Sequence, residues 1–489
     1  MKNPMNKLSP LLKRTSEKMS SLGRDGTSSV DVAINRLRDR RFCLGITGLS
    51  CSGKSTFITS FINQLMNHEA ASLPGFSPVL GGSLQWVKRH SLEDNKLPAF
   101  PYDHAYQGLC AEVPSWPAST VDISGCLLEL RLKRPKSLLN PIKSDEFSLY
   151  LELRDYPGEW LLDLPLRDMS YSRWCGQCSA QYTQSPRTEL LGPLLAELQK
   201  IDPLDAVNEE HLQSLNQSFV AFLRACKAGD KRLSLIQPGR FLIPGNVDDP
   251  QVLCFIPLLN CGSYTEGQLT AADKNSYFKV CERRYQRYIK ELVEPFYKTF
   301  FSRIDRQIVL VDVVNALNSG PDYIDDMRQA LTNITDSFSY GRRNRLMQFF
   351  RPKIDKVIFA ATKIDQVLSE DHEAVRQLLS VIVKQAYSNA QYHGVLPQCE
   401  ATAAIRSSQE VQRKGEYGIV GTGLDGKPIG YIHPKIPERI PERHQWQPFT
   451  EWRIPELKPP LGLSYQNSDP IPHIRMDSVL NILLGDICA

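Results

Sequence analysis

Twelve consecutive residues, Gly45-Ile46-Thr47-Gly48-Leu49-Ser50-Cys51-Ser52-Gly53-Lys54-Ser55-Thr56, contain the spacing G-x-x-x-x-G-K-[ST] of a phosphate-binding loop. Gly48 and Gly53 let the backbone wrap round a phosphate chain, whose charge suits the positive end of the helix that Lys54 opens. The candidate nucleotide-binding residues here are Ser50, Cys51, Ser52, Gly53, Lys54, Ser55 and Thr56. Lys54 is expected to bridge the β- and γ-phosphates, and Ser55 to ligate Mg²⁺. The flanks fit: Phe42 to Thr47 reads as a buried strand. From Lys54 to Met66, Phe57, Phe61 and Leu65 with Ile58, Ile62 and Met66 carry helical spacing.

Three downstream segments bear on which nucleotide is bound. Asp155-x-x-Gly158 follows an apolar strand, where Asp155 would hold Mg²⁺ through water and the Gly158 N–H would meet a γ-phosphate. Thr362-Lys363-Ile364-Asp365 follows the strand Lys356 to Ala361 and resembles a [NT]-K-x-D guanine motif. The Asp365 carboxylate can accept from guanine N1–H and N2–H₂, a donor pair that adenine lacks, while the Lys363 stem covers the base. Ala401-Thr402-Ala403-Ala404 sits where a second base-contacting loop falls, with the Ala403 N–H as candidate donor to guanine O6. In Trp116-Pro117-Ala118-Ser119-Thr120, Thr120 is favoured over Ser119 as the further Mg²⁺ ligand. Lys54, Thr120 and Gly158 are therefore the candidate catalytic set, and Ser55, Thr120 and Asp155 the candidate metal set.

These elements imply an α/β fold, a P-loop NTPase with a Ras-like G domain whose mostly parallel sheet is flanked by helices. Residues 1–33 read as a flexible basic arm with a possible short membrane-surface helix, and 34–163 as the first part of the G domain. Within it, 67–121 is rich in Pro, Gly and isolated aromatics and reads as a long switch I insertion. Residues 164–302 carry helical signals and form an expected insertion; 303–409 return to β-α alternation; 410–489 hold a hairpin around Leu424-Asp425-Gly426-Lys427 and a Pro-rich extension.

The order of the P-loop, Trp-Pro-Ala-Ser-Thr, Arg154-Asp155-Tyr156-Pro157-Gly158-Glu159-Trp160 and Thr-Lys-Ile-Asp resembles the YcjX-like (DUF463) family of bacterial P-loop GTPases from about Ile34 onward. That resemblance implies a stress-linked cytoplasmic GTPase of the phage-shock response with an inner-membrane partner of the YcjF kind. Two other functions stay open. The P-loop also resembles that of uridine-kinase-like enzymes, against which Thr362 to Asp365 argues, and a nucleotide-bound adaptor without significant hydrolysis would leave function to the basic patches and the Pro-rich tail.

With 489 residues and a net charge of +4, the chain can bury a large core and does not have the charge of a dedicated nucleic-acid binder. No apolar run reaches membrane-spanning length, Asp312 interrupting the run that begins at Ile308, and a cytoplasmic protein with at most peripheral membrane contact is expected. The twelve cysteines are dispersed, and Cys175-Gly176-Gln177-Cys178 reads as structural. Many small GTPases have a water-orienting Gln after D-x-x-G, where this chain has Glu159, so slow intrinsic hydrolysis is expected, with Arg167 and Arg173 as candidate fingers in cis. Two basic regions with aromatics, Arg283 to Lys290 and Arg342 to Lys353, are candidate partner surfaces whose simpler reading is a solvated helix face.

Overall fold

A computed structural model describes residues 41–49, 52–92, 97–133, 145–229, 232–337, 354–392, 395–413 and 415–488. The N-terminal arm, Ser50, Cys51 and the basic region Arg342 to Lys353 lie outside the described residues.

Aliphatic runs flanked by turn residues build a seven-stranded sheet: β1 (Arg41–Gly48), β2 (Leu84–His90), β3 (Ser124–Lys133), β4 (Glu146–Asp155), β5 (Arg306–Val311), β6 (Lys356–Ala361) and β7 (Leu396–Ala401). Their spatial order is β2-β3-β4-β1-β5-β6-β7. From β4 through β7 neighbouring strands run parallel, while β2, β3 and β4 pair antiparallel. Alternation along each central strand feeds two cores. Ile308 and Leu310 of β5 and Ile358 and Ala360 of β6 join the layer beneath the P-loop helix Lys54–Met66, whereas Val309, Val311, Val357 and Phe359 join the opposite layer. Strands covered on both faces need apolar residues at both parities, which is why these segments read as continuous hydrophobic runs.

Register sets the functional edge. Ile46 pairs with Asp155, Gly48 with Leu310, Val311 with Ala361, and Ala361 with Ala401. The P-loop, Asp155, Asp312, Thr362 and Thr402 therefore leave the sheet side by side at the C-terminal ends of its parallel strands, where open α/β sheets bind ligands.

The expected switch I segment is more ordered than its composition suggests. It contains the short helix Ser77–Leu80, the edge strand β2 and the helix Tyr102–Leu109, joined by irregular turns, and from Cys110 up to β3 it runs without helix or strand. Pro and Gly punctuate these short elements and hide the alternation of β2, where Trp86 is exposed at the sheet edge. Between β4 and β5 the chain is helical, including Tyr171–Tyr182 and Glu209–Lys227. The helix Tyr277–Tyr288 continues through π-helical turns at Ile289–Val293 and Phe296–Phe300, so Pro295 does not break it as its type suggests.

After β7 comes a small antiparallel sheet of β8 (Ser408–Arg413), β9 (Glu416–Thr422) and β10 (Pro428–Tyr431), the last two joined by the expected hairpin. The Pro-rich tail then crosses the P-loop helix. Asn63 and Gln64 are polar and fully buried in that helix, where the tail bonds to both: Ile471 N–H donates to Asn63 Oδ1 (2.8 Å) and Gln64 Nε2 to Ile471 O (2.6 Å). The closing helix Met476–Leu484 docks in the same layer, and Arg306 anchors its end by donating to Asp486 Oδ1 at 2.6 Å.

Candidate nucleotide site

Gly53 adopts a left-handed conformation (φ 78°) as the cap of the P-loop helix, a backbone state that favours glycine. Ser52 is buried beside Gly48, Phe57 N–H donates to Gly53 O at 2.8 Å, and Ser55 and Thr56 follow Lys54 on the first helical turn, half-buried. The Asp155-x-x-Gly158 turn lies directly on this loop: a Cβ on Gly158 would run into the Gly48 carbonyl oxygen. Only glycine permits that approach.

Lys54 meets Asp155 over the loop, Nζ standing 3.2 Å from Oδ1, and also donates to Tyr156 O. The other Asp155 oxygen accepts from Thr120 Oγ1 (2.8 Å), with Ser124 Oγ at 3.4 Å, and Ser55 Oγ lies 3.3 Å from Thr120 Oγ1. Burial pushes the Lys54 ammonium below the ordinary lysine value, against the opposing pull of Asp155 and Glu159. Lys54, Ser55, Thr120, Asp155 and Gly158, spread over more than one hundred positions of sequence, thus converge in one place.

The second cluster follows β6 and β7. Asp365 is buried, and its Oδ2 accepts from both the amide (2.9 Å) and hydroxyl (2.6 Å) of Ser407. Burial raises the Asp365 carboxyl above the usual carboxylate range, and the two Ser407 donors oppose that rise. Lys363 takes a left-handed conformation (φ 58°) and pairs through Nζ with Asp312 Oδ2 at 2.6 Å. Thr362 N–H donates to Val311 O (2.9 Å), which fixes the loop against β5. The amide of Ala403 donates to Ile474 O (3.0 Å) on the C-terminal segment, so it is already committed where an O6 donor was expected.

Ser407, Asp312 and Lys227 carry part of this geometry without a signal in the sequence motifs. Ser407 reaches Asp365 across 42 positions, and Asp312 stands out only as the charge that stops an apolar run. Glu159 is ion-paired with Lys227, the last residue of the helix Glu209–Lys227. The two candidate arginine fingers are engaged elsewhere or exposed: Arg167 stacks over Tyr297 at 3.8 Å, and Arg173 is exposed on the helix Tyr171–Tyr182.

Behind the Asp155 turn, the helical insertion is locked to the sheet domain. Trp160 Nε1 donates to Ile243 O (2.9 Å) and Arg240 stacks over Trp160 at 3.6 Å, while Tyr156 OH donates to Gln307 Oε1 (2.9 Å) on β5. Asp163 accepts from Gly239 N–H (2.8 Å), Arg240 N–H (3.2 Å) and Tyr288 OH (2.5 Å), and burial pushes its carboxyl up to about 6 despite those donors.

Of the basic, aromatic region Arg283 to Lys290, two charges are used internally. Arg284 grips Glu209 at 2.7 and 3.0 Å, Arg287 pairs with Glu291 and Asp249, and Tyr277, Tyr285 and Tyr288 are buried. Cys175 and Cys178 are also buried, with thiols raised by burial, as a structural role requires. No helix among the described residues is long and apolar enough to cross a membrane.

The strand order, the P-loop at the end of β1 and the Asp155 turn laid upon it define a P-loop NTPase of the α/β class, with a Ras-like G domain interrupted by helices. Comparison with known proteins narrows this: the YcjX-like family, DUF463, matches residues 42–488, and the chain belongs to that family. It is 36% identical over 465 residues to the protein named Ras-like GTPase YcjX of Escherichia coli (strain K12), covering 94% of this chain and 98% of that one. To the protein of the same name from Shewanella oneidensis it is 35% identical over 480 residues, covering 93% and 96%.

Proposed function

We propose that this protein binds GTP and GDP with Mg²⁺ and hydrolyses GTP slowly to GDP and phosphate, as a switch whose loops answer to the γ-phosphate. The observation that carries this reading is the meeting of Lys54, Asp155, Thr120 and Ser55 over the P-loop. Relatives named Ras-like GTPase support it.

The donor set fits a hard cation. Among the described residues no three His, Cys, Asp or Glu side chains gather as a metal site, but two hydroxyls and one carboxylate with phosphate oxygens and water are what Mg²⁺ takes. Ser55 and Thr120 would hold it directly and Asp155 through water, and the positive charge it would supply there would offset that of the phosphates. Lys54 would turn from Asp155 and Tyr156 O to the β- and γ-phosphates. Ser52, Gly53 and Thr56 would offer backbone donors with Ser50 and Cys51. The Gly158 N–H would reach the γ-phosphate from its seat on Gly48.

At the other end, guanine N1–H and N2–H₂ would find the Asp365 carboxylate that Ser407 steadies, with the Lys363 stem along the base. Since Ala403 is bonded to Ile474, an O6 contact from it requires exchange of that bond. Loss of the γ-phosphate would free Gly158 and Thr120 and loosen the segments that carry them. The family resemblance alone carries the wider setting proposed here: a stress-linked role in the cytoplasm, peripheral to the inner membrane, with a partner of the YcjF kind.

Purified protein with Mg²⁺, offered GTP, GDP and ATP in competition, tests the reading. Guanine nucleotides should win by about 100-fold or more, a margin that buried hydrogen-bond mismatch can supply. Preference for ATP with phosphate passed to a small acceptor would make the chain a kinase; tight GTP binding without turnover would make it an adaptor.

A further inference from the structure

Lys227 ends the helix Glu209–Lys227 of the insertion, far in sequence from every nucleotide motif, yet its ammonium pairs with Glu159, the residue directly after Gly158. Because Gly158 is pressed against the Gly48 carbonyl, that ion pair sits at the lip of the P-loop. Its charges reach the loop's interior: Glu159 stabilises the Lys54 ammonium and Lys227 opposes it. The pair is partly buried, with side chains 12% and 30% exposed, so its field is less screened than at an open surface.

The backbone around the pair is fixed. A Cβ on Gly239 would strike the Glu159 carbonyl, Asp163 clamps the Gly239 and Arg240 amides, and Leu233 N–H returns to Cys226 O (2.9 Å) beside Lys227. The insertion thus holds one cation against the turn that meets the γ-phosphate.

A bare carboxylate at Glu159 would repel a γ-phosphate arriving beside Gly158; the paired Lys227 offsets that charge where it stands, and a shift of its ammonium toward the phosphate adds a direct attraction. We propose that Lys227 is a cis-acting cation for the triphosphate: Glu159 holds it in the nucleotide-free protein and yields it to the γ-phosphate when GTP binds. The inference rests on the GTPase reading above and adds to it the group that reading lacks. In hydrolysis, the water oxygen bonds to the γ-phosphorus while the bond to the β,γ-bridging oxygen breaks. The bridging oxygen keeps the electron pair and leaves as GDP, and the water proton goes to the released phosphate. Lys227 transfers nothing; its ammonium faces the charge that gathers on the equatorial and leaving oxygens.

The test uses the full chain as the parent, Lys227→Met and Lys227→Arg, with Mg²⁺, and reads three quantities: GDP affinity, the gain in GDP affinity when aluminium fluoride is added as a γ-phosphate mimic, and single-turnover GTP hydrolysis. For Lys227→Met, GDP affinity should stay within about twofold while hydrolysis falls about 100-fold or more and the fluoride gain disappears. Lys227→Arg should recover most of both. A methionine variant with parental hydrolysis and fluoride gain overturns the proposal and leaves the GTPase reading standing. Loss of GDP affinity and thermal stability in Lys227→Met with the fluoride gain intact also overturns it, since that is what a purely structural lysine would give. A parent that binds no GTP overturns the underlying reading instead.

Discussion

At the base end of the site, Asp365 is held by two donors from Ser407, and the loop beneath it is tied to β5 through Thr362. At the phosphate end, Lys54, Asp155, Thr120 and Ser55 engage one another, where the reading proposed above puts phosphate and Mg²⁺. The first arrangement can receive a base with little change. The second must exchange partners, because a buried lysine and carboxylate left unpaired are expensive and so close on each other. On the reading proposed above, specificity would reside in a rigid pocket and response to the γ-phosphate in a pocket remade when nucleotide binds.

The strongest way to break this contrast is to remove Lys54. Lys54→Ala should weaken GTP binding by about 1000-fold, the loss of a buried charge-assisted contact, and also cost about 3 kcal/mol of stability because Asp155 is left buried without its cation. Adding Asp155→Asn should return much of the melting temperature without restoring binding. Thermal melts and nucleotide titration of Lys54→Ala, Asp155→Asn and the double variant check this, and additive losses would mean that the two residues are not coupled.

Next in size is the base end. Asp365→Asn should lower GTP affinity by about 100-fold and shift preference toward xanthosine triphosphate, with no loss in the response to Mg²⁺. An unchanged preference for GTP over XTP in competition binding would remove guanine recognition from this residue.

A smaller effect sharpens the same half. Ser407→Ala removes one donor to Asp365 and should weaken GDP binding by about tenfold. Burial already raises the Asp365 carboxyl, and loss of the hydroxyl raises it further. The ionised form is the one that accepts from guanine, so affinity should fall as the solution is acidified, and fall at higher pH in the variant than in the parent. Identical pH profiles would show that Ser407 does not tune this carboxylate.

Local sequence carried the phosphate end further than the base end. Gly48, Gly53 and Lys54 act within one turn of chain, so their spacing alone foretells a loop and its helix. Asp155 and Thr120 were legible because short motifs sit at strand ends, and the sheet register then brings them over the P-loop. Ser407 could not be read in this way, since its contact with Asp365 depends on where β7 and β8 send the chain. Lys227 closes an insertion whose helical periodicity foretells packing and says nothing about which helix end meets Glu159. The edge strand β2 was hidden for the opposite reason: at a sheet edge it need not alternate cleanly, and Pro and Gly on both sides gave it the composition of a loop.

Hydrogen exchange on the full chain with Mg²⁺ and a non-hydrolysable GTP analogue, compared with GDP, tests the division between the two ends most directly. The account predicts that amides in 116–123 and in Tyr156 to Leu162 lose protection on going from the analogue to GDP, while those in Ile364 to Gln366 and in Ala401 to Ser408 keep theirs. Equal protection at the phosphate end in both states, or a change at the base end as large as that beside Thr120 and Gly158, would contradict it.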